Sequence, residues 1–156
     1  MAVCKIDSVY TEYRKIGFFR VKLLPRLVIE GVRVELSEAA LQTNWVESLQ
    51  FDPAPQVGRS AVEWRGFSLF FPQEHSPRLQ AKHVFPATIA GATVYQLEDV
   101  TLQTGGTELH VPKAELRAEG SSGRVVWSHA NRSLQWDLLT GQCQTNSTQS
   151  NSNEKL

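Results

Sequence analysis

Cysteine, net charge and long apolar runs are all scarce in this 156-residue sequence, and each scarcity removes a class of protein. There are two cysteines, Cys4 and Cys143, near opposite ends of the chain. That spacing suits neither a disulfide framework nor a zinc knuckle, and whether the two meet in space is left to the fold. Lys plus Arg total 16 and Asp plus Glu total 16, so no global field draws the chain to nucleic acid or an anionic membrane, and neither is expected as a partner. The longest apolar stretches, Lys22–Ile29 and Phe67–Phe71, fall far short of the roughly 20 residues that span a bilayer. Met-Ala-Val-Cys-Lys-Ile-Asp at the start lacks the uninterrupted apolar run of a secretory leader, which gives a cytoplasmic expectation. Without such a route, the acceptor patterns at Asn131-Arg132-Ser133 and Asn146-Ser147-Thr148 read as turn and tail composition.

What remains has the make-up of one globular domain. Apolar residues form 41% of the chain and charged residues 21%, which excludes a collagen-like, coiled-coil or wholly disordered protein. The length suits a single core. From Gln142 onward the chain is polar and offers almost nothing to bury, so the sequence predicts a β-rich domain over 1–140 and a disordered polar tail over 141–156.

Within the domain the apolar residues recur mostly at a period of two. Val32, Val34 and Leu36 alternate with Arg33 and Glu35. Val62 and Trp64 alternate with Glu63 and Arg65 until Gly66 shifts the phase to Phe67, Leu69 and Phe71, which marks Gly66 as a bulge. Asp99, beside Glu98, interrupts its own run in the same way. Leu97–Gln103 and Thr107–Val111 flank Gly105-Gly106, a pair suited to a tight hairpin turn. Runs at Lys113–Glu119, Arg124–His129 and Ser133–Leu139 continue the meander. One helix is expected near residues 37–50, capped by Ser37, with Leu41, Trp45 and Leu49 on one face and Pro53 beyond its end. The fold class that follows is mainly β: an antiparallel curved sheet, sandwich or barrel of short strands with that one helix.

Chemical motifs are missing. His75, His83, His110 and His129 show no ligand spacing, so no metal is expected. No Gly-x-Ser-x-Gly occurs, Ser60 lacks the second glycine of a nucleophile elbow, and no glycine pair leads into the Lys-Ser or Lys-Thr of a phosphate loop. Glu63, Glu98, Asp99, Glu108 and Glu115 sit in amphipathic runs, where a carboxylate belongs on the solvent face. No catalytic residue and no cofactor is expected, and the balance leans away from an enzyme.

Charge is nevertheless uneven. Through Arg33 the chain carries seven basic residues against Asp7, Glu12 and Glu30, an excess of four positive charges that the remainder cancels. Tyr10, Tyr13 and Phe19 interleave with Arg14, Lys15 and Arg20, and these six residues form the candidate contact surface. Trp45, Trp64, Trp127 and Trp136 are core candidates by their apolar neighbours, and any exposed one would be an anchor at an interface.

The stretch Leu97-Glu-Asp-Val-Thr-Leu-Gln-Thr-Gly-Gly-Thr-Glu-Leu-His-Val-Pro-Lys-Ala-Glu-Leu resembles the hairpin units of bacterial AsmA-type lipid-groove proteins. The resemblance implies a long curved sheet that shelters an apolar ligand. Three readings therefore stand: a non-enzymatic β-rich domain that binds another macromolecule, a protein above all; a carrier of a lipid or other apolar ligand; and an enzyme with a dispersed active site.

Overall fold

The computed structural model describes residues 3–16, 22–49, 61–89, 92–104, 106–119 and 122–147. They build eleven strands: β1 (Val3–Lys5), β2 (Ser8–Ile16), β3 (Lys22–Glu30), β4 (Arg33–Glu35), β5 (Ala61–Phe70), β6 (Leu79–Ile89), β7 (Ala92–Thr104), β8 (Thr107–Glu119), β9 (Ser122–His129), β10 (Arg132–Asp137) and β11 (Cys143–Ser147). All belong to one sheet, which is not closed into a barrel. From β5 to β11 the order is a plain antiparallel meander.

The sheet is mixed and not wholly antiparallel as expected. β3 and β4 both run parallel to β5, while β2 and β1 line their other side. A parallel pair needs a crossover, and the chain between Glu35 and Ala61 supplies it. The expected helix over 37–50 lies in this crossover as two short pieces, a 3-10 turn at Ala40–Gln42 and α1 (Trp45–Ser48). Ser37 Oγ accepts the Ala40 N–H at 3.2 Å, but the residue that caps the first piece is Ala39, not Ser37 as expected, and Thr43 turns extended and ends it. Burial outweighs helix continuity here: Leu36, Ala40, Trp45, Val46 and Leu49 are all buried against the sheet.

The core obeys one rule. Ile29, Trp64, Val84, Leu97 and Ala114 form a row of cross-strand partners, and Phe67, Ala81, Val100 and Val111 form a second. Within each strand the members of the two rows are three residues apart, whereas strict alternation would separate them by two or four. Val32, three beyond Ile29, extends the second row through its carbonyl, which accepts the Ser68 N–H at 2.9 Å. Each of these strands thus switches phase at the same level. Gly31, Gly66 and Asp99 do so with φ of 70°, 71° and 54°. Pro112 occupies the same level in β8 and needs no ladder N–H there, so Thr107–Val111 and Lys113–Glu119 are one strand. The crease keeps both halves of every strand apolar on the same inner face.

Aromatic side chains fill the inside of the curve. Trp64 lies 5.5 Å from Phe67 and 5.4 Å from Tyr95 between ring centroids, and Trp45 meets Phe71 edge-on at 6.1 Å. Tyr95 donates its hydroxyl hydrogen to the Val46 carbonyl at 3.0 Å. Gly123 lies under α1, where a Cβ would stand 3.0 Å from both Trp45 and Val46. Trp136 is buried as well, and Trp127 packs against the core half-buried, so no tryptophan is an exposed anchor.

The far corner of the sheet rolls onto its near end. Arg78, stacked 4.1 Å above Phe71, donates to the Leu138 and Leu139 carbonyls at 2.6 and 2.9 Å. The predicted domain end at Thr140 falls too early, because β11 pairs with β10 from Trp136↔Cys143 to Arg132↔Ser147. A ladder is made by the backbone and does not require apolar side chains. Residues 148–156 lie outside the described residues, and no described helix is long and apolar enough to cross a membrane.

Candidate interaction surface

The outer face of the sheet carries a charged row at the crease. Register places Glu30, Arg65, His83, Glu98 and Lys113 side by side on five successive strands. Next to it stands a group that sequence reasoning put in solvent: Glu63 is only 2% exposed. A buried carboxylate needs donors, and three strands supply them. Arg26 on β3 donates to Oε1 at 2.9 Å, Arg65 on β5 to Oε2 at 2.9 Å, and His83 Nδ1 on β6 lies 2.6 Å from Oε2. Burial by itself pushes the Glu63 carboxyl up, but the hydrogen bonds from Arg65, His83 and Arg26 outweigh it and hold its pKa at about 2. Of the signals for this, only Arg65, two residues on along the same face, was visible in sequence. Arg26 and His83 arrive through strand pairing.

The network reaches the N-terminal edge. Arg65 also pairs with Glu12 at 3.0 Å and donates to the Tyr10 hydroxyl at 3.2 Å, while Tyr10 donates to Glu30 at 2.6 Å. That last bond raises the Tyr10 pKa, because the phenol proton is held by a carboxylate. Arg26 lies 5.7 Å over the Phe85 ring, and His83 stacks on the same ring. Chemically this is a brace: the carboxylate is saturated with donors, and nothing in it presents a nucleophile to an enclosed site.

β1 and β2 together form one outer edge of the sheet. Among the described residues no strand pairs with their far side, and β11 forms the opposite edge in the same condition. Val3, Ile6 and Val9 are 51%, 39% and 53% exposed on this edge, and Tyr10 is 37% exposed. Of the six candidate contact residues, Tyr10, Tyr13, Arg14 and Lys15 occupy β2, which brings them onto a single strand. Phe19 and Arg20, with Phe18 and Val21, lie outside the described residues.

Other surfaces offer less. A cleft of about 550 Å³ between the β5–β6 and β7–β8 turns is lined by Glu74, Arg78, Gln103 and Glu108 among others, and a trough of about 580 Å³ crosses the outer face beside Lys113 and Gln135. Both are open, and neither is a predominantly apolar cavity. No group of His, Cys, Asp and Glu among the described residues is placed to hold a metal ion. Cys4 and Cys143 are free thiols on β1 and β11, the two opposite edges. Comparison with protein-family models, with curated proteins and with solved structures gives no match.

Proposed function

We propose that the protein is a non-enzymatic binding domain whose contact surface is the β1–β2 edge, with another protein as its partner. The observation that carries this is the open edge itself, with Val3, Ile6, Val9 and Tyr10 exposed along it. Unpaired backbone N–H and C=O groups beside exposed apolar side chains are what strand addition uses: main-chain hydrogen bonds give affinity and alternate side chains give specificity. Charges of both signs along this part of the chain, Asp7 and Glu12 with Arg14 and Lys15, add selection for a partner that complements them. The space inside the curve, where an apolar ligand would sit, is occupied by Trp45, Val46, Leu49 and Tyr95, which favours an edge over a groove.

Val9→Lys with Thr11→Lys tests the reading, since lysines on an edge strand oppose strand addition and both positions are exposed. Stability should move by less than about 0.5 kcal/mol per site. Capture of protein partners from native lysate should be lost. A second variant, Arg14, Lys15 and Arg20 all to Glu, should weaken capture, and the wild-type interaction should fade with added salt. Identical partner sets for the wild type and both variants would overturn the proposal.

A further inference from the structure

The sequence of β2 restricts what can lie beside it. We infer that the partner on this edge is a second copy of the chain, joined antiparallel through β2 about a two-fold axis at Thr11. The inference rests on the edge reading above and adds the occupant.

In a two-fold antiparallel pairing with its axis perpendicular to the sheet, opposed residues share a face. Partners therefore have the same parity, and the axis passes through a residue. The bend at Asp7, between β1 and β2, confines a straight pairing to Ser8–Ile16. Centring on Glu12 gives the longest overlap but opposes the two copies of Glu12, and centring on Arg14 opposes two arginines; like charges in direct opposition are destabilising. Centring on Tyr13 leaves Val9, exposed on this edge, beyond the overlap, and centring on Tyr10 shortens the overlap to Ser8–Glu12. Thr11 remains. It pairs Thr11 with Thr11, Tyr10 with Glu12, Val9 with Tyr13 and Ser8 with Arg14. The Thr–Thr pair and the aromatic with a β-branched residue are combinations that stabilise neighbouring strands, while Tyr10 and Glu12 keep their bonds to Glu30 and Arg65. Beyond them Asp7 approaches Lys15, opposite in charge. An edge that is self-complementary in one register and opposes like charges when it slips to centre on Glu12 or Arg14 is a specified interface.

The test uses the full chain with Cys4→Ser and Cys143→Ser as background. Thr11→Cys and Tyr13→Cys are oxidised separately with copper–phenanthroline, and the unoxidised background chain is sedimented over a wide concentration range. Opposed residues have Cα atoms about 4.5–5.5 Å apart, within disulfide range, so Thr11→Cys should give a covalent dimer. The two copies of position 13 would lie four residues apart along the strand, about 13 Å, and Tyr13→Cys should give little. Equal cross-linking of the two variants, or cross-linking of Tyr13→Cys alone, overturns the register. A monomer at every concentration with no cross-link overturns the second copy. In that case, lysate capture that still depends on Val9 and Thr11 leaves the edge reading standing, and its absence removes both.

Discussion

Replacing Glu63 by Gln keeps the size of the side chain and deletes the charge that three donors converge on. The neutral amide imitates the protonated carboxyl, so its cost follows from linkage. The folded pKa is about 2 and the ordinary value is about 4.5, so the ionised form stabilises the fold by about 3 kcal/mol. The sign is that of a depressed carboxylate: the contribution is complete above about pH 4.5 and disappears as pH falls toward about 2. Glu63→Gln should therefore lose about 3 kcal/mol at pH 7, equivalent to roughly 6–12 °C in Tm for a domain of this size. Urea midpoints of both proteins at pH 7, 4 and 3 measure it. The difference between them, more than either curve alone, isolates Glu63, because other carboxylates such as Glu35, lowered by its hydrogen bond from Arg33, titrate equally in both. A gap below about 1 kcal/mol at pH 7, or one that does not shrink in acid, would refute the argument that the carboxylate holds Arg26, Arg65 and His83 together.

Trp64→Ala and Trp136→Ala should each cost roughly 3–5 kcal/mol by denaturant titration, since both rings are buried in the core. Gly66→Ala should cost about 1–2 kcal/mol through its positive φ, as no described atom blocks the new Cβ at less than 3.8 Å. Truncation after Thr140 removes β11 and exposes the outer side of β10, so Tm should drop by several degrees, and an unchanged Tm would show that this ladder contributes nothing.

The fold was legible where side-chain chemistry is local. The alternation of Val62 and Trp64, the shift at Gly66 and the interruption at Asp99 were all visible as pattern, and both residues do take positive φ, although neither is the bulge expected, because one residue intervenes on each paired strand and the register runs on unshifted. The hairpin that joins β7 and β8 was legible for the same reason. What depended on partners distant in sequence was not. Glu63 looks like any solvent-facing carboxylate until β3 and β6 bring Arg26 and His83 to it. The helical spacing of Leu41, Trp45 and Leu49 survives only as two short pieces, because the crossover must fit over β8 and β9. β11 was missed because Cys-Gln-Thr-Asn-Ser carries no apolar signal, although its backbone completes a ladder. For the contact surface, the sequence placed Tyr10, Tyr13, Arg14 and Lys15 together but could not show that their strand is an outer edge.

The crease bears on how the chain finds its pairing while it folds. In an ordinary sheet a slip of two residues leaves every side chain on its proper face and is penalised weakly. Here each of β5, β6, β7 and β8 carries its phase switch at one fixed position, at Gly66, Lys82, Asp99 and Pro112. A slip by any number of residues moves one switch away from its neighbours and turns the side chains between them to the wrong face. The fold line therefore proofreads: a hairpin that zips in the wrong register meets its error at the crease and must reopen, so long strands need not depend on their turns alone to be aligned.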